Sequence, residues 1–188
     1  SEKLRTQSGL ISEDSETELD TDLVHLPIFI EDFVKQKNFE YWLNNKVQVI
    51  NSCPQQSATL YVKVSSVELR SILSNLVNNS SEAYEADGGT IEISVCQVAN
   101  FCEISVKDYG IGIPENLVSE IGKKAISTKA NSGRGIGLLH AFKVIEGWGG
   151  SISINSAIGI GTNIKVTLPT YLFNPLRRDD RLSKETIL

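Results

Sequence analysis

The sequence predicts one α/β domain, and two kinds of pattern support this fold class. Residues 90–97 and 101–107 alternate apolar and polar side chains, as half-buried strands do. Residues 66–86 and 135–146 instead repeat apolar side chains at helical spacing. The chain has 188 residues, of which 40% are hydrophobic, and this length and composition suffice for one core. Strands and helices packed together in a single domain are therefore expected.

Charge and hydropathy argue against several classes of function. A formal net charge of −5 opposes binding to nucleic acid. No apolar run approaches the length of about 20 residues that spans a bilayer, and the N-terminus lacks a secretory pattern. We therefore expect a cytoplasmic domain that makes no membrane contact. Because the chain begins at Ser1 and contains no methionine, it is expected to be a piece of a longer protein, whose parent could be anchored in the inner membrane.

The first 64 residues predict a linker and then short elements. Residues 12–22 carry six acidic side chains and no basic one, which is typical of a solvated linker. Residues 23–34 are apolar and then amphipathic, and they predict a short strand followed by a helix that extends to about Tyr41. Residues 46–51 and 60–64 alternate as two further strands.

The next helix carries the first candidate site residues. Ser65 stands three residues before Glu68, the spacing of a capping box, and the helix is predicted to end near Ala86, before a flexible Asp-Gly-Gly turn. Helical geometry places a buried face on one side of it: Leu69, Leu73, Leu76, Val77 and Ser80. Asn75, Asn79 and Glu82 form a separate polar stripe, which either faces water or supplies amide oxygens to Mg²⁺.

Three cysteines are present, and they include no CxxC pair. An odd number without such a pair indicates neither a zinc site nor a disulfide framework, and it fits a reducing compartment. Residues 90–97 and 101–107 predict a hairpin with its loop at Ala99 and Asn100. Cys96 and Cys102 in this hairpin either face each other or fill the core.

The chain has two glycine-rich segments, one directly after a predicted strand and one directly before a predicted helix. Asp108 ends a strand and is followed by Gly110 and Gly112, so an amino group could dock on the carboxylate while the backbone passes close to a flat ring; an ordinary turn is the alternative. Residues 133–138 (GRGIGL) lead into a helix, whose free N–H groups attract phosphate. Neither GxGxxG nor GxxxxGK[ST] fits the chain, which sets aside a Rossmann site and a P-loop.

The last third of the chain predicts a short helix, a basic segment, a helix and two strands. Pro114 begins the short helix and Gly122 ends it. Residues 123–134 contain four cations and no acid. In the helix of residues 135–146, Leu138, Phe142 and Ile145 are predicted to face the core. Strands at residues 151–155 and 162–168 flank a glycine turn, and residues 171–188 are predicted to be a disordered tail.

In this order and spacing, four motifs resemble the ATP-binding domains of the superfamily that includes gyrase, a heat-shock chaperone, histidine kinases and mismatch-repair ATPases. Residues 74–83 (SNLVNNSSEA) resemble the N box of histidine kinases, and residues 108–114, 133–138 and 159–162 resemble their three glycine boxes. The resemblance covers residues 24–169. It implies the Bergerat-type fold, an α/β two-layer sandwich with a mixed, mostly antiparallel sheet of about five strands against about three helices. Residues 23–170 would form this domain, and residues 1–22 would be a linker with a remnant of the dimerisation helices.

The resemblance also implies roles for individual residues in binding ATP and Mg²⁺. Asn79 would coordinate Mg²⁺ with support from Asn75, and Asp108 would receive the adenine amino group, assisted through water by Thr162. Residues 123–134 would be the ATP lid, and the expected catalytic residues are Asn79, Lys129 and Arg134. The further predicted nucleotide contacts are Ala83, Gly110, Gly112, Ile113, Thr128, Gly133, Gly135, Ile136, Gly137 and Leu138, with Ile126 as another candidate wall of the adenine site.

The function implied is donation of the γ-phosphate of Mg-ATP to a histidine on separate dimerisation helices, with a response regulator downstream. His25 and His140 do not stand in the context of an acceptor, so the acceptor is expected outside this chain, and the isolated domain is expected to be a monomer. The alternatives are an ATP-hydrolysing clamp, a serine kinase of the same fold, and a non-catalytic module that binds nucleotide or a partner. Hydrolysing clamps carry a glutamate where Asn75 stands here.

Overall fold

The computed structural model describes residues 21–42, 47–52, 59–84, 88–122 and 135–171. Predictions for residues 1–20, for the basic segment at 123–134 and for the tail after Tyr171 lie outside these ranges. The described elements follow one another along the chain as β1 (Asp22–His25), α1 (Leu26–Trp42), β2 (Val47–Asn51), β3 (Tyr61–Val64), α2 (Ser66–Glu82), β4 (Gly89–Val98), β5 (Phe101–Lys107), α3 (Glu115–Val118), α4 (Gly135–Gly147), β6 (Ser151–Ala157) and β7 (Gly161–Pro169).

Five of the described strands form one sheet in the order β2-β4-β5-β7-β6. Three of its pairings are antiparallel, and β2 joins β4 in parallel with Val47 opposite Gly89. The predicted mixed, mostly antiparallel five-stranded sheet is therefore confirmed. Strands β1 and β3 form a separate two-stranded antiparallel sheet, and α3 is a single turn, so three longer helices accompany the sheets in the described part of the chain.

The core lies where the helices cover the large sheet. Every side chain of the predicted apolar face of α2, from Leu69 to Ser80, is buried. The inward positions of β4, β5 and β7 alternate along each strand and supply the opposite wall: Ile91, Ile93, Val95, Cys102, Ile104, Val106, Ile164, Val166 and Leu168. The apolar side chains of these alternating strands are therefore the ones that face the core.

Helix α2 is capped at its N-terminus by two side chains. Ser65 Oγ accepts a hydrogen bond from the Glu68 N–H at 3.3 Å, and the Asp22 carboxylate accepts from Ser66 Oγ at 2.6 Å. The Glu68 side chain contacts His140 of α4, so the capping box is only half formed. The helix ends at Glu82, earlier than predicted, and the N–H of Ala83, the residue that caps it, donates to the carbonyls of Ser80 and Ser81.

Helix α4 packs on the core through part of the predicted stripe. Ile145 is buried and Leu138 packs partly against the core, as predicted, and they are joined by Ala141 and by Trp148 just after the helix. Phe142 is half-buried and lies instead against Gly122, where an added Cβ would meet the phenyl ring at 2.9 Å. The prediction that Phe142 faces the core was therefore wrong.

The β4–β5 hairpin separates the two cysteines that it carries. Cys96 lies opposite Glu103, and Cys102 lies opposite Gln97, so of the two alternatives the facing pair of thiols is not formed. Cys102 is buried and Cys96 is exposed, so core filling holds for Cys102 alone. Burial raises the pKa of the Cys102 thiol to about 12.

Candidate functional site

Asp108 is a buried carboxylate immediately after β5, with 3% of its surface exposed. Its backbone pairs with Thr162 of β7 through N–H to carbonyl bonds of 2.8 and 3.2 Å. Its Oδ1 accepts from the N–H groups of Gly110 and Thr162, each at 3.1 Å. Among the described residues, Gly110 and Thr162 both donate to Oδ1. Oδ2 is therefore available to accept a hydrogen bond from a ligand.

The loop after Asp108 runs close to the end of α2. The Ile111 N–H donates to the Ala83 carbonyl at 3.0 Å, and a Cβ on Gly110 would lie 2.5 Å from the same carbonyl oxygen. On its other side, a Cβ on Gly112 would lie 2.0 Å from the Ala157 carbonyl oxygen. These contacts bring three predicted site residues together and explain why both loop positions are glycine.

Ser156 connects the first and third glycine boxes, and sequence reasoning missed it. Its Oγ accepts from the Ile113 N–H at 2.8 Å, donates to the Gly161 carbonyl at 3.0 Å and lies 2.9 Å from Thr162 Oγ1. A signal existed in the strand alternation, because Ile152, Ile154 and Ser156 share the half-buried face of β6. A hydroxyl on that face requires partners.

Tyr84, just beyond α2, supports the Asp108 loop and was also missed. Its hydroxyl accepts from the Tyr109 N–H at 2.8 Å and donates to the Thr90 carbonyl. Its ring covers Gly89, where no side chain would fit. Burial raises the pKa of Tyr84, which keeps the hydroxyl proton in place for the bond to Thr90.

Asn75 lies against the first turn of α4. A Cβ on Gly137 would lie 2.3 Å from Asn75 Nδ2, so the glycine lets the amide approach the helix start. Asn79 follows one turn later on α2, and both asparagines are half-buried. The neighbouring Asn78 is held through its Oδ1 by Lys37 at 3.2 Å and Tyr41 at 2.8 Å, both from α1. The N box is thus packed between α1 and α4.

Some of the remaining predicted site residues lie in the described part of the chain, and others lie outside it. The Ile113 N–H is used by Ser156, and Leu138 is half-buried against the core. Gly135 and Ile136 lie in the first turn of α4. Thr128, Lys129, Gly133 and Arg134, together with Ile126, lie outside the described residues.

Within the ranges that the structure describes, no helix has the length and apolar character needed to cross a membrane.

Comparison with known proteins agrees with this geometry. A family model described as histidine kinase-, DNA gyrase B- and HSP90-like ATPase matches residues 64–172. Sporulation kinase A of Bacillus subtilis is 33% identical over 111 residues, which are 59% of this chain and 18% of that kinase. The adaptive-response sensory kinase SasA of Synechococcus elongatus is 31% identical over 144 residues, 74% of this chain and 36% of that kinase. The matched part of this chain therefore spans 18% and 36% of the length of these two relatives.

Solved structures show the same fold at lower identity. The mycobacterial sensor histidine kinase MprB matches with a TM-score of 0.66 and 18% identity, covering 81% of this chain and 99% of that one. Full-length ShkA in complex with AMPPNP matches with a TM-score of 0.67 and 20% identity, covering 85% of this chain and 33% of that one. This chain accordingly belongs to the family of histidine kinase-, DNA gyrase B- and HSP90-like ATPases, as a catalytic and ATP-binding domain of the histidine kinase type.

Proposed function

We propose that this domain binds Mg-ATP and donates the γ-phosphate to a histidine on a separate dimerisation and phosphoacceptor domain, as the catalytic lobe of a two-component sensor histidine kinase. The observation that carries the proposal is the Asp108 carboxylate, which is buried and has one oxygen committed to backbone donors. Burying a carboxylate is costly unless its oxygens find partners. The amino group of adenine is a suitable partner for Oδ2.

The first glycine box fits the flat base on the same grounds. Gly110 and Gly112 carry no side chain, and the loop is fixed by Ala83 on one side and Ala157 on the other. A loop held in this way needs no rearrangement to receive a ring. Thr162, paired with Asp108 through the backbone, would take part in recognition of the base through a water.

The phosphates would lie between α2 and the start of α4. The N–H groups in the first turn of a helix attract phosphate, and α4 begins at Gly135. Asn75 contacts this turn, and the half-buried Asn79 offers the neutral amide oxygen that suits Mg²⁺ when phosphates supply further ligands. Bound there, Mg²⁺ would supply neutralisation of the phosphate charge. Lys129 and Arg134 are proposed as the γ-phosphate contacts.

Transfer rather than hydrolysis is supported by the residue at position 75. Asn75 is an amide, and an amide cannot take the proton of a water as a carboxylate can. Among the described residues, His140 pairs with Glu68, and the His25 ring lies 4.8 Å from the Tyr61 ring within the β1–β3 sheet. We therefore place the acceptor histidine on the helices of the parent kinase and the response regulator downstream of it, with this domain in the cytoplasm.

Asp108→Asn tests the base-recognition half of the proposal. The amide keeps an oxygen for the N–H groups of Gly110 and Thr162 but replaces Oδ2 by a donor, which opposes the adenine amino group. Loss of a charged hydrogen bond predicts that the Kd for Mg-ATP rises about tenfold or more in calorimetry. Glu103→Gln on β5, the strand that ends just before Asp108, makes the same chemical change away from the site and should leave the Kd unchanged. An unaltered Kd in Asp108→Asn would contradict the assignment.

The kinase half needs its own experiment. The domain is mixed with the helical hairpin of its parent protein and radiolabelled ATP, and we expect an acid-labile label on a histidine of the hairpin. Lys129→Ala and Arg134→Ala should each slow the labelling. If the wild-type domain binds Mg-ATP and yet transfers no label, it is a nucleotide-binding module without kinase activity.

A further inference from the structure

Ser156 stands at the centre of a hydrogen-bond network that reaches the base-recognition residues. The network contains a backbone donor from Ile113, a backbone acceptor from Gly161 and the hydroxyl of Thr162, at 2.8, 3.0 and 2.9 Å from Ser156 Oγ. Ser156 is half-buried, and Thr162 is 7% exposed. Each group in this network therefore depends on the others for its hydrogen bonds.

Only one arrangement of protons satisfies all three contacts. A serine hydroxyl has one proton and two lone pairs. The Gly161 carbonyl can only accept, so it takes the Ser156 proton. The Ile113 N–H can only donate, so it occupies one lone pair. The other lone pair then accepts the proton of Thr162, and the Ser156 hydroxyl is fully used.

The direction of the Thr162 proton has a consequence for the ligand. With its proton committed to Ser156, Thr162 Oγ1 can only accept, from a ligand directly or from a water. A water that bridges Thr162 and Asp108 would donate one proton to each of them and could then only accept from the base. Asp108, held by the Thr162 N–H, is also an acceptor. We propose that Ser156 is a positioning residue that fixes the hydroxyl of Thr162 as an acceptor and thereby selects a 6-amino purine over a 6-oxo purine. The inference rests on the proposed function, since it concerns the same base site.

The chemistry of the two purines makes this selection testable. Adenine presents an amino donor at position 6, whereas hypoxanthine presents a carbonyl acceptor there. An edge that only accepts suits the first and opposes the second. Without the Ser156 hydroxyl, the Thr162 proton is released and can turn toward the carbonyl of hypoxanthine. The preference for adenine should then fall even though Ser156 touches neither base.

The experiment compares the Kd of ATP and of ITP, each with excess Mg²⁺, by calorimetry on the whole chain. The variants are Ser156→Ala and Ser156→Cys, whose thiol fills the space but is a poor hydrogen-bonding group. We expect the ratio of the two Kd values to fall about fivefold in both variants, the effect of one hydrogen bond. Ser153→Ala, an exposed serine on the same strand, should leave the ratio unchanged. In a Thr162→Val background, Ser156→Ala should no longer alter the ratio.

The outcomes separate this inference from the proposed function. If the wild type binds ATP more tightly than ITP and both Ser156 variants keep the full ratio, the inference is wrong and the nucleotide site stands. An equal rise in both Kd values would also overturn it, because it would show a structural role without selection. If the wild type binds neither nucleotide, the proposed function itself fails.

Discussion

Replacing Gly161 by alanine should harm the domain far more than replacing Gly159, although both glycines lie in or beside the β6–β7 turn. Gly159 has φ of +75° and open space where a Cβ would stand. Gly161 has φ of +111°, and its Cβ would lie 2.2 Å from the carbonyl oxygen of Asp108. The two variants therefore share backbone strain, but only Gly161→Ala adds a collision with backbone.

The magnitudes follow from these two terms. A left-handed backbone costs an alanine about 1–2 kcal/mol, which is the whole expected effect of Gly159→Ala. Gly161→Ala adds about 1–3 kcal/mol for overpacking against a strand that cannot move aside, giving a total of about 2–5 kcal/mol. Because the Asp108 backbone must shift, the carboxylate moves with it, and Gly161→Ala should also weaken ATP binding.

Urea unfolding followed by circular dichroism measures the difference. With an m-value of about 2 kcal/mol per molar urea, the midpoint should fall by about 0.5–1 M in Gly159→Ala and by about 1–2.5 M in Gly161→Ala. Calorimetry with Mg-ATP should show a changed Kd in Gly161→Ala alone. Equal midpoints in the two variants would refute the reasoning, since they would mean that the contact with Asp108 is absent in solution.

Three further predictions concern α4 and the cysteines. Gly137→Ala should change the free energy of unfolding little, because a gain of about 1 kcal/mol in helix propensity offsets the displacement of Asn75, but it should weaken Mg-ATP binding. In an Asn75→Ala background, Gly137→Ala should stabilise the domain by about 1 kcal/mol. If the effects of the two substitutions on urea unfolding are additive, this explanation is contradicted. In Cys53→Ser protein, a thiol reagent at pH 8 should label Cys96 and spare Cys102, whose pKa burial raises to about 12; rapid native-state labelling of both would contradict it. Because that pKa lies above the ordinary value of about 8.5, the free energy of unfolding should fall as the pH rises from about 8.5 toward 12.

Local patterns predicted the elements well because their causes are local. The alternation in β4 and β5 and the helical repeat of α2 identified the buried faces, since burial on one face imposes that period. Asp108, Gly110 and Gly112 were identified from a motif, and the structure brings them together with Ala83. The end of α2 was placed too late because the chain after Glu82 still contains helix-forming residues.

Residues whose roles depend on distant partners could not be predicted in this way. Ser156 and Tyr84 act through Ile113, Gly161 and Tyr109, which lie 25 or more residues away or across a strand pairing. Phe142 had the correct helical period for the core, but Gly122 provides it with another surface. The order of the strands, including the parallel pairing of β2 with β4, also depends on packing that no single segment contains.

The hydrogen bonds from Ser66 to Asp22 bear on where a fragment of this domain can begin. Asp22 is the last residue of the acidic stretch, yet its carboxylate accepts hydrogen bonds from the hydroxyl and the N–H of Ser66, the first residue of α2, at 2.6 and 3.3 Å. A capping side chain contributes about 1 kcal/mol to the helix that it caps. A fragment that began at Leu23 would retain every motif of the nucleotide site. It would nevertheless lose the hydrogen bonds that hold the N-terminus of α2, the helix that carries Asn75 and Asn79.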